Sequence, residues 1–179
     1  MQRYSTISIV LHWLIAILII AAFAMGWYMS DLRISPTKLK LYSWHKWLGV
    51  SIFGLVALRL LVRLIKGTPE YPDTMQTWEK QMANAMHGSL YVLMITVPLS
   101  GYLYTYAAGF PVVYLGLLEL PAIISPHPEW KEGLKELHEM LTTGMLVLIG
   151  IHFAATLKHQ LINKDGILQR MLPARFNKE

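Results

Sequence analysis

The chain has 179 residues, of which 54% are hydrophobic and 15% are charged, and its formal net charge is +5. A soluble domain has roughly 25% charged residues, so this composition indicates a membrane protein. The chain has no cysteine, which excludes disulfides, thiolate-bound clusters, thioether-linked cofactors and cysteine nucleophiles. The basic residues flank apolar runs and do not form a patch interleaved with aromatic residues. We therefore expect a lipid bilayer as partner, and no nucleic acid.

Four apolar segments are long enough to cross a bilayer, which takes about 20 helical residues. They are residues 7–29, 43–65, 83–106 and 136–159. A fifth apolar stretch, 110–118, is too short to cross, so we expect it to lie at the interface and cap one face of the bundle. Residues 22–24 resemble a signal-peptide cleavage site, but the long apolar run around them favours a retained helix. The sequence predicts one domain over 1–179, an all-α integral membrane four-helix bundle.

The basic residues predict the orientation of this bundle, because short cytoplasmic loops carry an excess of Lys and Arg. One end of the predicted spans holds Arg3, Arg59, Arg63, Lys66, Lys80, Lys158, Lys164, Arg170, Arg175 and Lys178. The other end holds Arg33, Lys38, Lys40, Lys46, Lys131 and Lys135. The larger set predicts that both termini are cytoplasmic.

Most of the seven histidines fall inside the predicted spans, where an ionisable side chain is costly and indicates function. The histidines within spans are His12, His45, His87, His138 and His152. Since consecutive spans alternate in direction, His45 and His138 are expected near the periplasmic side. The other three are expected near the cytoplasmic side, so the sequence predicts two layers of imidazole.

Both layers receive a histidine from the fourth span, whose segment HEMLTTGMLVLIGIH runs from His138 to His152. Their separation corresponds to roughly 21 Å along a helix and about 1400° of rotation, close to four full turns. Both rings therefore face nearly the same direction, toward the bundle interior. A haem held by two neutral imidazoles needs one such ring and a partner from another helix.

At the periplasmic level His45 is the available partner for His138. At the cytoplasmic level His152 has two candidates, His12 and His87. We favour His12, since a small residue follows it one turn later, whereas a tyrosine follows His87. A single intramembrane histidine more often serves packing or gating, but four that pair by depth favour two bis-histidine haems.

Arg59 is the other unexpected polar residue, because it lies at the depth of the cytoplasmic histidine layer. One interpretation is a cation that snorkels to the surface. The alternative is a partner for haem propionates, a role that Arg63 one turn later could share.

Four segments together resemble bacterial cytochrome b561. They are SIVLHW in the first span, HKWLGVSIFGLVALRLLVRL in the second, MHGSLYVLMITVPLSGY in the third and LHEMLTTGMLVLIGIHFAATLKH in the fourth. The resemblance implies a multi-pass protein of the bacterial inner membrane with two non-covalent b haems. It implies that His45 pairs with His138 and His12 with His152, and that His87 matches a family histidine without an assigned ligand role.

The resemblance also implies an oxidoreductase, because similar proteins include superoxide oxidases that take electrons from periplasmic superoxide and deliver them to ubiquinone. The basic loop before His45 could attract superoxide. His159, seven residues beyond His152, and His87 are candidates for a quinone site. One alternative is a haem b membrane anchor that passes electrons between quinone and a separate redox partner protein. Another is a haem-free transporter or proton channel with a histidine relay.

Overall fold

Four long helices dominate the computed structural model, which describes residues 2–173. They are α1 (Thr6–Ser30), α2 (Pro36–Lys66), α3 (Thr77–Ala107) and α4 (Lys131–Lys158). Each is long and apolar enough to cross a membrane, so the predicted all-α membrane bundle is confirmed. The cytoplasmic placement of the termini stays a prediction. Arg175 and Lys178, which contributed to that prediction, lie outside the described residues.

All four helices begin before the apolar segments that predicted them, and α2, α3 and α4 do so by more than one turn, because polar first turns extend them. The Ser35 hydroxyl accepts from the Lys38 N–H at 3.2 Å, and Pro36 occupies the first turn of α2. At the start of α3 the Gln76 N–H donates to the Glu79 carboxylate at 3.1 Å. Hydrophobicity locates the membrane-crossing part of such a helix, whereas caps determine where it begins.

Close backbone packing among the described residues joins α1 with α2, α2 with α3 and α3 with α4. The approach of α4 to α1 and α2 is much sparser. The bundle therefore consists of two helical hairpins, α1–α2 and α3–α4. The backbone of α4 stays apart from the first hairpin, so contacts between them are made by side chains. This spacing determines the geometry of the candidate site.

An apolar cluster fills the middle of the bundle, and every helix contributes to it. Its buried members are Ile15, Ile19, Ile52, Val56, Val97 and Met145. In each helix these residues lie between the levels of the histidines, so the cluster separates two polar layers. Within a membrane such a core stabilises by close packing more than by removal of apolar surface from water.

Both described ends of the chain lie together at one end of the bundle. The Tyr4 N–H donates to the Arg170 carbonyl at 3.4 Å, and the Trp13 indole N–H donates to the Met171 carbonyl at 2.8 Å. The C-terminal segment reaches this position through a π-helical turn, His159–Asn163, and a 3₁₀ turn, Leu168–Met171. We call this end of the bundle the terminal end.

The opposite end carries the segment predicted to be interfacial, and we call it the hairpin end. This segment forms two antiparallel strands, β1 (Val113–Tyr114) and β2 (Leu118–Glu119). The Trp47 indole N–H donates to the Val113 carbonyl at 2.7 Å, and the hydroxyls of Ser51 and Tyr114 are 2.9 Å apart. The segment therefore packs along α2, and a 3₁₀ turn at Pro128–Trp130 leads from it toward α4.

Candidate functional site

Two levels of partly buried imidazole rings lie above and below the apolar cluster. His45 of α2 and His138 of α4 approach each other toward the hairpin end, with ring centroids 6.3 Å apart and ring planes at 88°. They reach across a gap between two helices that make little backbone contact. The pair is therefore accessible to a flat group inserted from the side of the bundle.

Three histidines meet toward the terminal end, as the sequence predicts for this level. The His12 and His152 rings have centroids 6.4 Å apart and planes at 77°. His87 lies closer to His152, with centroids 5.5 Å apart and planes at 67°. The structure therefore brings together both candidate partners of His152.

The ring spacings can be compared with what two imidazoles on opposite sides of one iron require. A metal–nitrogen bond of about 2 Å and roughly 1.1 Å from nitrogen to ring centre give about 6.2 Å between centroids. The His45–His138 and His12–His152 pairs have this spacing, whereas the His87–His152 pair is too close. The donor set therefore fits the axial ligation of haem, and His12 lies nearer than His87 to the spacing that a shared iron would require at His152.

Within residues 2–173 there is no group of three or more histidine or acidic side chains that could hold a bare metal ion.

Two glycines that the sequence analysis missed lie against the rings at the hairpin end. A Cβ built on Gly26 would be 3.4 Å from Cε1 of His45. A Cβ on Gly101 would be 3.0 Å from Cε1 of His138 and 3.2 Å from its Nδ1. Each glycine therefore leaves the space that a ligand ring occupies. In the sequence, only their positions on other helices at the same membrane depth as His45 and His138 could have indicated this role.

Arg59 turns into the bundle at the level of His12 and His87. Its Nε donates to the Tyr91 hydroxyl at 3.1 Å, and its Nη1 donates to the Ser8 carbonyl at 3.2 Å. Ser8 lies one turn before His12, and Tyr91 lies one turn after His87. Because a guanidinium has five N–H donors, this anchored group keeps donors for a carboxylate ligand.

His159 lies at the terminal end and forms a buried pair that the sequence analysis did not include. Its Nδ1 is 2.5 Å from an Asp165 oxygen, with the two side chains 12% and 2% exposed. Asn163 also contacts this nitrogen, at 3.2 Å. Lys164 and Gly166 both have positive φ, so a tight turn directs Asp165 back toward α4. Asp165 and Gly166 form an Asp–Gly sequence, which is typical of such a turn.

A cleft of about 360 Å³ lies beside this pair. It is lined by Thr74, Gln76, Trp78, Glu79, Lys158 and Asn163. The Lys158 ammonium is 2.6 Å from the Glu79 carboxylate across one wall. Asn163 therefore links the cleft with His159.

The basic residues expected in a loop before His45 lie mostly on a helix, because α2 already begins at Pro36 and includes Lys38, Lys40 and Lys46. Of this set only Arg33 lies in the loop before α2. Several of these basic residues are engaged in local contacts. The Lys38 ammonium donates to the Leu32 carbonyl at 2.5 Å, and the Lys46 ammonium donates to the Pro111 carbonyl at 3.3 Å. The Lys40 ammonium lies 4.9 Å from the centre of the Trp44 ring. These contacts hold positive charge at the end of the bundle that carries His45 and His138.

Sequence comparisons agree with this geometry. Residues 3–174 match the family model of prokaryotic cytochrome b561. Cytochrome b561 homolog 2 of Escherichia coli K12 is 32% identical over 172 residues, which cover 96% of this chain and 92% of the relative. The probable superoxide oxidase CybB of Yersinia pestis is 28% identical, over 97% of this chain and 98% of its own length. Cytochrome b562 of Cereibacter sphaeroides is 25% identical, over 96% of each chain.

These matches extend over nearly the whole described structure, and the four apolar helices and paired histidines are what a membrane-bound b-type cytochrome requires. The chain belongs to the prokaryotic cytochrome b561 family of haem-containing electron-transfer proteins in bacterial membranes.

Proposed function

We propose that the chain forms a single dihaem domain over residues 1–179 that carries electrons across the bacterial inner membrane. His45 and His138 hold one haem b toward the periplasm, and His12 and His152 hold the other toward the cytoplasm. The observation that carries this proposal is the matched spacing of the two ring pairs, 6.3 and 6.4 Å. Bound haem supplies reversible one-electron chemistry, while the protein supplies ligation, orientation and the surrounding charge.

We propose superoxide as the electron donor at the periplasmic face. The relative from Yersinia pestis, named a probable superoxide oxidase, supports this choice. So do the basic residues around Lys40, since positive charge near the hairpin-end site accelerates the approach of a small anion. Each superoxide anion that gives up one electron leaves as O₂. With the hairpin end outward, both termini are cytoplasmic, in agreement with the distribution of Lys and Arg.

Ubiquinone is the proposed acceptor at the terminal end, where two electrons and two protons convert it to ubiquinol. The cleft beside Asn163 has a volume typical of small-ligand sites and supports this location. We assign His159 as the hydrogen-bond donor or proton relay to the quinone, with Asp165 as the group that orients it. His87 is a second candidate quinone contact at this level.

Arg59 is proposed to bind the propionates of the haem between His12 and His152. Its guanidinium is held inside the bundle by Tyr91 and Ser8, so the charge is fixed where a carboxylate would need it.

Superoxide pulses applied to the purified, haem-loaded protein in a stopped-flow instrument test this proposal. We expect rapid haem reduction, abolished by superoxide dismutase, followed by reoxidation when a soluble ubiquinone is added. Reduction that is slow and independent of salt concentration would contradict the proposed donor. It would favour instead a haem b anchor that exchanges electrons with a docked redox protein.

A further inference from the structure

His138 is contacted by α3, a helix that supplies no histidine at the hairpin-end level. Its Nδ1 lies 3.1 Å from the Val97 carbonyl oxygen and 3.0 Å from the Ser100 hydroxyl, both on α3. The Ser100 hydroxyl itself donates to the Val97 carbonyl at 2.8 Å. One imidazole nitrogen thus meets two oxygens that are already bonded to each other.

These three contacts specify the proton on the ring. A carbonyl oxygen only accepts, so the Nδ1 of His138 must carry the hydrogen for its bond to Val97. The Ser100 hydrogen is directed at the same carbonyl, which leaves the Ser100 oxygen to accept from Nδ1 as well. The Nε2 atom of His138 then has a free lone pair, which is the tautomer that a metal ligand needs.

Gly101 and Pro98 make this contact possible. A Cβ on Gly101 would come within 3.0 Å of the His138 ring, so a larger residue would push the ring by a few tenths of an ångström. Pro98 lies inside α3 and lacks an N–H, which leaves the Met94 carbonyl one turn earlier without its helical donor. Residues 97–101 therefore form a shaped surface against the ring, which we call the α3 seat.

His45, on the opposite side of the gap, is held less firmly. Its buried Nδ1 has no hydrogen-bond partner in the described part of the chain. Gly26 approaches its ring at the longer distance of 3.4 Å. Of the two histidines at the hairpin end, only His138 is thus oriented by hydrogen bonds to the described residues, and these come from the α3 seat.

We propose that Val97, Ser100 and Gly101 act as positioning residues that fix the His138 tautomer and lower the reduction potential of the haem it binds. A histidine whose second nitrogen donates a hydrogen bond is a more basic ligand, and a more basic ligand stabilises ferric iron. This inference rests on the proposed ligation of haem by His138.

The α3 seat gives the two haems different potentials. The hydrogen-bonded His138 lowers the potential at the hairpin end. The Arg59 cation at the terminal end favours the reduced, less positive iron of the other site. Both effects drive an electron from the hairpin end toward the terminal end.

The direct test is a potentiometric titration of purified Ser100→Ala protein. Loss of the hydroxyl removes one acceptor and leaves the Val97 carbonyl, so both haems should remain bound. We expect the potential of one haem to rise enough to change the electron partition between the two haems at least threefold. Thr143→Ala is the matched control, since Thr143 donates to its own helix carbonyl at 2.9 Å on an exposed face of α4. Unchanged potentials in Ser100→Ala would overturn the inference.

Gly101→Ala provides a second test that does not depend on titration. The added methyl must displace the His138 ring, so we expect one haem to be lost or to show an altered low-spin ferric EPR signal. Gly144→Ala is the control, because a Cβ there meets nothing within 4 Å. A Gly101→Ala protein with native haem content and native EPR signals would contradict the α3 seat. Retention of both haems in His138→Ala would instead contradict the proposed ligation itself.

Discussion

His12 and His152 face each other with ring centroids 6.4 Å apart, although the helices that carry them make little backbone contact. This spacing is close to the one that two imidazoles on opposite sides of one iron would have. His87 shows the contrast, because its ring lies 5.5 Å from the same His152. The choice between His12 and His87 is therefore experimentally accessible.

Replacement of His12 by Ala should remove one of the two haems, since the remaining axial ligand holds the iron weakly. Replacement of His87 by Ala should leave both haems bound. Haem per chain, measured by pyridine haemochrome on purified proteins, distinguishes the two variants. The reverse result, with haem lost only in His87→Ala, would exchange their roles.

Arg59→Leu should weaken the terminal-end haem more than the hairpin-end haem, because it removes the proposed propionate donor. We expect at least a several-fold faster loss of that haem to a haem-scavenging protein, followed by absorbance. Lys66→Leu is the control, an exposed cation at the same end of the bundle. Equal weakening of both haems by Arg59→Leu would count against this placement.

Asp165→Asn and His159→Gln should each slow ubiquinone reduction about 100-fold, the lower end of the range for loss of a proton-transferring group. Both haem spectra and the rate of haem reduction by superoxide should stay native. His127→Gln is the matched control, because His127 also contacts a carboxylate, that of Glu129 at 2.8 Å, but lies in a loop at the hairpin end. A lost haem in His159→Gln would make this residue structural.

The reaction with superoxide should slow as salt is added, since the charges of the basic residues near His45 are screened over about 10 Å at 0.1 M. A combined Arg33→Gln and Lys40→Gln variant should react a few-fold more slowly at low salt and like the unmodified protein at high salt. Lys164→Gln, at the terminal end, serves as control. If the reaction rates of both variants depend on salt in the same way, Arg33 and Lys40 do not attract superoxide to the site.

Much of the architecture could be predicted from apolar run length and histidine spacing. The four helices are confirmed, and His138 and His152 do present their rings at two levels as their separation of nearly four turns predicts. These features depend on helical periodicity, which a single sequence displays directly.

The supporting contacts could not be predicted, because they depend on how one helix rotates against another. Gly101 and Ser100 contact His138 only because α3 packs on α4. Asp165 reaches His159 through a turn whose course no periodic pattern describes. The strands Val113–Tyr114 and Leu118–Glu119 could not be predicted either, because each has only two residues and the apolar stretch around them shows no strand periodicity.

Haem stoichiometry in ligand variants tests the central claim most directly. The purified protein should contain two haem b per chain, His138→Ala and His152→Ala should each contain about one, and the double variant should be colourless. A colourless unmodified protein, or single variants that keep both haems, would contradict the account.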